Sequence, residues 1–151
     1  MNADATPQGD EQPPSLYERA GGTPFFERLV DAFYEGIASD EILGPMYPDH
    51  PDFEPGKRHL TLFLLQYWGG PLTYLEERGH PRLRMRHFPF AIGERERDRW
   101  LTHMAAAIER TCNGMDDGAA IAGELLAYFV PVAEAMRNDT GLPITSSNYP
   151  R

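Results

Sequence analysis

His87 stands in a chemical setting that differs from those of the other four histidines. Arginines at positions 82, 84 and 86 precede it, and Phe88, Pro89 and Phe90 follow. Because a proline limits how far a helix can extend, we expect His87 to end a short helical turn, with aromatic rings directly behind it. A neutral imidazole beside an apolar wall suits a metal ligand, and Arg84 and Arg86 could meet acidic groups of a bound molecule. The plainer alternative is a satisfied core histidine in a solvated basic turn.

Aromatic side chains are abundant on the segments with helical spacing, and most are expected simply to pack in the core. They are Phe25, Phe26, Phe33, Tyr34, Phe63, Tyr67, Trp68, Trp100, Tyr128 and Phe129. Tyr34 and Trp100 lie on or beside inward faces, where a hydroxyl or an indole N–H needs a hydrogen-bond partner. A buried ligand would provide one. Together with His87, this makes haem one candidate ligand, since its iron takes an imidazole and its propionates take cationic side chains.

Other kinds of site find little support in the sequence. His50, His59, His80 and His103 show neither an i, i+4 pair nor an HExxH motif, so a helical zinc site is not indicated. No GxSxG or Walker glycine loop is present, which argues against hydrolase and nucleotide chemistry. Cys112 is the single cysteine, so no internal disulfide can form, and packing is its expected role.

Composition predicts one folded domain in a reducing compartment. The chain has 151 residues, 41% of them hydrophobic and 11% aromatic, with a net charge of -9. Such acidity argues against nucleic acid or an anionic membrane as the main partner. Residues 1–14 contain no apolar signal core, and no membrane-spanning run is apparent, so a cytoplasmic protein is expected.

The elements that must position these residues are predicted to be helices. Ser15 to Glu18 forms a capping box that starts a short helix, which Gly21-Gly22 stops. Thr23 as N-cap and Pro24 at the first helical position begin a long helix, whose apolar face runs from Phe25 to Ile37. Four prolines within Gly44 to Pro55 predict a loop there.

The rest of the chain predicts one helix, then an irregular connection, then two further long helices. Leu60 to Tyr67 carries the spacing of a helix that ends at Gly69-Gly70. The stretch from Pro71 to Gly93 is expected to hold only short helical turns, and Glu94 to Thr111 and Asp117 to Met136 resume helical spacing. The predicted organisation is a disordered extension over 1–14, a domain over 15–137 and a flexible tail over 138–151.

The pattern as a whole resembles the truncated haemoglobins of group II, the class common in actinobacteria. The resemblance covers Ser15 to Met136 and is strongest in three runs: Gln66-Tyr67-Trp68-Gly69-Gly70-Pro71, then Arg78-Gly79-His80-Pro81-Arg82-Leu83-Arg84-Met85-Arg86-His87-Phe88-Pro89-Phe90, then Glu96-Arg97-Asp98 with Trp100. It implies an all-α truncated globin, a two-over-two helical sandwich around one haem b. The two glycine pairs match the hinges of that family.

The resemblance also implies roles for individual residues. His87 would be the proximal iron ligand, and Trp100, Tyr34 and Tyr47 would be the distal hydrogen-bond donors. Gly56 would occupy the small gate position, and His59 stands where relatives place an arginine near a propionate. The other expected haem contacts are Phe33, Leu60, Phe63, Tyr67, Tyr74, Arg84 and Arg86.

The implied function is binding of O2 or another diatomic gas at the sixth position of ferrous haem. Several donors should slow escape of the ligand, which suits redox or detoxification chemistry with peroxide or nitric oxide better than oxygen delivery. Peroxidase or nitric oxide dioxygenase turnover would need an electron donor such as a reductase. The chain would be a monomer or a homodimer. The competing hypothesis is a cofactor-free helical module that binds a hydrophobic ligand or a partner helix.

Overall fold

The regular elements of the chain are helices throughout the part that the structure describes. The computed structural model describes residues 12–139, without strands in that range. Its elements are α1 (Leu16–Arg19), α2 (Thr23–Ser39), a 3-10 helix (Gly44–Met46), α3 (Glu54–Tyr67), α4 (Thr73–Arg78), α5 (Leu83–His87), α6 (Glu94–Cys112) and α7 (Gly118–Ala135). The predicted all-helical class is confirmed. The predicted disorder before residue 12 and the predicted flexibility after residue 139 lie outside the described residues.

The capping box predicted at the start of α1 is present. The Glu18 N–H donates to Ser15 Oγ at 3.1 Å, and the Ser15 N–H donates to the Glu18 carboxylate at 3.0 Å. Thr23, however, is not the N-cap of α2. Gly22 takes that position with a φ of 86°, and the Thr23 hydroxyl instead forms a hydrogen bond with the Tyr17 hydroxyl at 3.0 Å.

The segment predicted as a loop from Gly44 to Pro55 holds helical structure at both ends. A 3-10 helix spans Gly44–Met46, and α3 already begins at Glu54. Pro45 and Pro55 each lie in the first turn of a helix, where a missing N–H breaks no intrahelical bond. The prediction failed because it treated these prolines as helix breakers, whereas their position makes them helix starters.

The core lies where α2 packs against α3 and α6, and where α6 packs against α7. The largest fully buried side chains are Phe25, Phe26, Leu29, Val30, Phe33, Ile37, Leu64, Met104, Ile108, Ile121 and Leu125. Each such side chain contributes about 1.5–3 kcal/mol by leaving water. Their concentration on α2 and on the inward faces of α6 and α7 fixes these three helices as the frame of the site.

One helix departs from the expectation that no run could span a membrane. By length and composition alone, α7 could cross a bilayer, with 18 residues and a mean hydropathy of 1.3. This is weak evidence for a membrane, because the core helix of a soluble protein passes the same test. Here Leu125 and Phe129 of α7 are buried against the core, and Glu134 pairs with Arg97 of α6.

Candidate functional site

Most of the residues singled out in the sequence line one cavity of about 360 Å³, whose wall is formed by helices α2 to α7 and the 3-10 helix. Those on its wall are Phe33, Tyr34, Tyr47, Gly56, His59, Leu60, Phe63, Tyr74, Arg86, His87, Trp100, Tyr128 and Phe129. His87 and Trp100 thus face a common space although α5 and α6 present them from different elements. The polar groups of the wall are few and lie among apolar and aromatic side chains, as in a pocket for a mostly apolar ligand.

His87 ends α5, as predicted, and its ring is held in one orientation. Its Nδ1 lies 2.7 Å from the carbonyl oxygen of Leu83, one turn earlier in the helix. A carbonyl can only accept, so Nδ1 carries the proton and donates, which leaves the lone pair on Nε2. Burial and the nearby Arg86 charge lower the pKa of His87, and these outweigh the opposing effect of the Leu83 hydrogen bond. The result is an oriented neutral imidazole, the form that ligates iron.

The chain just after His87 is fastened to the end of α7 by Asn138. The Ile92 N–H donates to Asn138 Oδ1 at 2.9 Å, and the Asn138 N–H donates to the Ile92 carbonyl at 3.0 Å. Asn138 Nδ2 also donates to the carbonyl of Phe90. Asn138, which the sequence places in the tail, is therefore tied to the segment that carries the imidazole.

Tyr34, Tyr47 and Trp100 form a second, aromatic wall of the cavity. Tyr34 comes from α2, Trp100 from α6 and Tyr47 from the end of the 3-10 helix, with the two tyrosine ring centres 5.6 Å apart. The neighbouring Trp100 indole N–H lowers the pKa of Tyr47, but burial has the larger, opposite effect. Burial raises the pKa of Tyr34 and of Tyr47 above that of free phenol, so both hydroxyls keep their protons at neutral pH. Three hydrogen-bond donors thus share this wall.

Gly56 lies directly against the Tyr34 hydroxyl. A Cβ built at Gly56 would come 2.7 Å from Tyr34 Oη, closer than a carbon can approach without a shift of one group. The Tyr34 side chain is only 4% exposed, so its ring has little room to step aside. A side chain at position 56 would therefore disturb the aromatic wall as well as narrow the cavity.

Arg78 and His59 form a cationic corner of the cavity that sequence reasoning did not pair. Arg78 Nη1 donates to His59 Nε2 at 3.0 Å, and burial together with the neighbouring arginines lowers the pKa of His59, which keeps the ring neutral. Arg78 Nε is buried without a hydrogen-bond partner among the described residues. Arg86 lies alongside and donates to the Pro81 carbonyl at 2.6 Å. An unsatisfied guanidinium N–H here fits an acidic group on a molecule in the cavity.

Two residues expected to contact haem lie outside the cavity lining. Tyr67 is 51% exposed and packs its ring on Tyr128, with 4.2 Å between centres. Arg84 lies on α5 beside Leu83, which with Arg86 and His87 occupies the cavity-facing i, i+3, i+4 positions. Successive residues of an α-helix are rotated by roughly 100° about its axis, so Arg84, one position after Leu83, points away from that face.

The sequence profile of the bacterial-like globins matches residues 15–133, most of the chain. The chain belongs to this family. Within it, the truncated haemoglobins of group II are the class that the relatives support. The truncated globin has the two-over-two helical architecture of its solved structural neighbours, as the sequence predicted.

Three relatives show how far the similarity extends. The chain is 44% identical over 88 residues to a group 2 truncated hemoglobin of Bacillus subtilis, covering 58% of this chain and 65% of the relative, just under two thirds of its length. A thermostable hemoglobin from Thermobifida fusca is 52% identical, covers 84% of this chain and 99% of its own, and superposes with a TM-score of 0.78. A truncated oxygen-avid haemoglobin from Bacillus subtilis is 38% identical, covers 83% and 100%, and gives a TM-score of 0.73.

Membership of the globin family implies haem binding, and globins bind diatomic gases at that group. The cavity described above fits this cofactor on three counts: an imidazole nitrogen with a free lone pair, apolar and aromatic walls, and an unsatisfied guanidinium N–H at its edge. Family membership favours haem over the competing hypothesis of a cofactor-free binding module.

Proposed function

We propose that this truncated globin holds one haem b through His87 and binds O2 or another diatomic gas beside Trp100, Tyr34 and Tyr47. The observation that carries the proposal is that an oriented, neutral imidazole and three hydrogen-bond donors line the same cavity. Haem supplies an iron atom that takes up diatomic gases and exchanges electrons. The protein supplies the imidazole, the donors and a cavity with a largely apolar wall.

The donors favour a redox or detoxification role over oxygen delivery. Trp100, Tyr34 and Tyr47 can each donate toward charge that develops on a gas molecule, and fixed donors in a dry pocket hold such charge well. Strong retention suits chemistry on the ligand better than its release. The relative from Bacillus subtilis described as oxygen-avid supports this inference.

An absorption spectrum of the purified protein tests the proposal. A strong Soret band that responds to dithionite and carbon monoxide is expected, whereas a colourless protein that cannot be reconstituted with haemin would refute it. The redox role needs a separate assay, because nitric oxide dioxygenation consumes one nitric oxide, one dioxygen and one electron to give one nitrate. Supplied with a reductase, the holoprotein should form nitrate at the rate at which nitric oxide disappears.

Gly56→Ala should speed dissociation of O2 from the reduced holoprotein about threefold, since the added methyl displaces the Tyr34 hydroxyl and weakens one donor. Stopped-flow displacement by carbon monoxide measures this rate. Gly123→Ala is the matched control, because a Cβ at that exposed position of α7 meets nothing within 4 Å. The control should keep the wild-type rate and gain up to about 1 kcal/mol of stability from helix propensity. If wild type, Gly56→Ala and Gly123→Ala released O2 at equal rates, the contact between position 56 and Tyr34 would not determine the rate of O2 dissociation.

Asn138→Ala should loosen the segment after His87 and speed haem loss several-fold, as measured by transfer of haem to apomyoglobin. The variant removes the acceptor for Ile92 N–H and the donor to the Phe90 carbonyl, at a cost of about 1–3 kcal/mol in unfolding free energy. Asn138→Asp keeps an acceptor for the Ile92 N–H but sets a charged oxygen against the Phe90 carbonyl, so it should also lose haem faster than wild type. A wild-type rate in Asn138→Ala would mean that this fastening does not support the proximal segment.

A further inference from the structure

A single charged side chain, Asp40, is buried among the described residues, and it lies behind the aromatic wall. Its carboxylate is 3% exposed. A buried charge is costly unless it is paired and hydrogen-bonded, so its partners indicate what the chain gains from it. Burial alone would raise the pKa of Asp40. Hydrogen bonds from two backbone N–H groups, His103 and Arg99 outweigh it and hold the pKa well below its usual range, so the group is a carboxylate.

Two of the groups that donate hydrogen bonds to Asp40 belong to the turn that leads to Tyr47. Asp40 follows the last residue of α2, and its Oδ1 accepts from the N–H groups of Ile42 and Leu43, each at 2.9 Å. These bonds fix the turn from which the 3-10 helix Gly44–Met46 starts, with Tyr47 at its end. We call residues 40–47 the Tyr47 strap.

The other partners belong to α6 and flank Trp100. Arg99 Nε lies 3.1 Å from both carboxylate oxygens, and His103 Nε2 lies 2.7 Å from Oδ2. Arg99 and His103 are one helical turn apart, with Trp100 between them in sequence. The carboxylate therefore joins the Tyr47 strap to the very turn of α6 that carries the indole.

The same junction is supported from α2. A Cβ at Gly36 would overlap the His103 ring, so glycine there lets the imidazole reach the carboxylate. Tyr47 and Trp100 line the same cavity, and Tyr34 packs edge-on against Tyr47. Any shift of the strap along α6 would thus change the distance between the two donors.

We propose that Asp40, clamped by Arg99 and His103, is a positioning group that sets Tyr47 against the Trp100 indole and so tunes the donors that face the gas ligand. This inference rests on the donor roles proposed above. Asp40, Arg99 and His103 all lie outside the cavity lining. The clamp acts through the geometry of the Tyr47 strap.

Asp40→Asn tests the clamp, since it keeps the size of the side chain and removes its charge. We expect the Trp100 indole N–H resonance to shift in the haem-free protein and in the carbon monoxide complex, where the stretching band of carbon monoxide should also shift or broaden. The chain has two tryptophans, so Trp68→Phe assigns the signal. Dissociation of O2 should be about threefold to tenfold faster, the equivalent of one weakened hydrogen bond.

Two further variants separate positioning from general stability. His103→Leu should reproduce the spectroscopic change, and His103→Gln, which still offers an N–H to Asp40, should restore it. Arg110→Gln is the matched control, because the Arg110–Glu35 ion pair also joins α6 to α2 but lies on the exposed surface, away from the strap. It should leave the indole resonance and the O2 rate unchanged.

The inference would be overturned if Asp40→Asn and His103→Leu only lowered the melting temperature. In that case the indole resonance, the carbon monoxide band and the O2 rate would be unchanged, and the cluster would be purely structural. Should Asp40→Asn fail to fold, His103→Leu and His103→Gln give the same answer. Trp100→Phe distinguishes a failure of the donor roles from a failure of the positioning inference. If it leaves the O2 rate unchanged, the donor roles themselves fail; if it raises the rate and the clamp variants do not, the positioning inference alone fails.

Discussion

Replacing His87 by alanine should remove most of the haem from the purified protein and speed loss of the remainder at least about a hundredfold. Changes around a metal ligand already cost roughly 10- to 100-fold in affinity, and removal of the ligand itself must cost more. The Nδ1 bond to the Leu83 carbonyl orients Nε2, and no other histidine of the cavity wall can replace it, because His59 is engaged by Arg78. The haem-to-protein ratio and the rate of haem transfer to apomyoglobin measure the effect.

His80→Ala is the matched control for this experiment. His80 lies in the same segment, is exposed, and accepts from the Arg82 N–H at 3.1 Å outside the cavity lining. The His80→Ala protein should bind haem as the wild-type protein does. In His87→Gly, added imidazole should restore part of the Soret band by occupying the vacated position. A His87→Ala protein with wild-type haem content and spectrum would contradict the assignment of the proximal ligand.

The helices could be predicted because their information is local. The apolar spacing of α2 and α6 and the Ser15–Glu18 capping box are properties of short segments, and each is found in the structure. The errors were local as well. Pro55 either stops or starts a helix depending on what precedes it, and Thr23 could cap α2 only if its hydroxyl were not already bonded to Tyr17.

The cavity could be predicted only in part, because its polar groups are brought together by tertiary contacts. The resemblance to a family placed His87 and Trp100, which then proved to line one cavity. Nothing in the sequence pairs Arg78 with His59, which are 19 residues apart, or Asp40 with His103, which are 63 apart. Spacing also could not tell that Tyr67, at the end of α3, turns to Tyr128 and away from the cavity. Buried polar groups need partners, and the partners are a property of the fold.

Replacing Trp100 by phenylalanine should speed dissociation of O2 from the reduced holoprotein roughly fivefold or more, which corresponds to about 1 kcal/mol for one lost hydrogen bond. Phenylalanine keeps an aromatic ring beside Phe33 and Phe129, which the indole contacts at 5.1 and 5.6 Å between ring centres, so packing changes little. Stopped-flow mixing with carbon monoxide gives the rate. Trp68→Phe removes the other indole, which lies outside the cavity lining, and should leave the rate unchanged.

The size of this effect depends on Tyr47, because the two donors line the same cavity and the indole acts on the Tyr47 hydroxyl. In Trp100→Phe the Tyr47 phenol loses the neighbouring indole N–H and is free to turn toward the ligand. Because Tyr47 compensates in this way, each single variant underestimates how much the two donors together slow O2 dissociation. Trp100→Phe/Tyr47→Phe should therefore raise the O2 rate by more than the product of the two single effects. A double variant whose effect equals that product would show that the two groups act independently, and a Trp100→Phe rate equal to wild type would remove the indole from the set of donors.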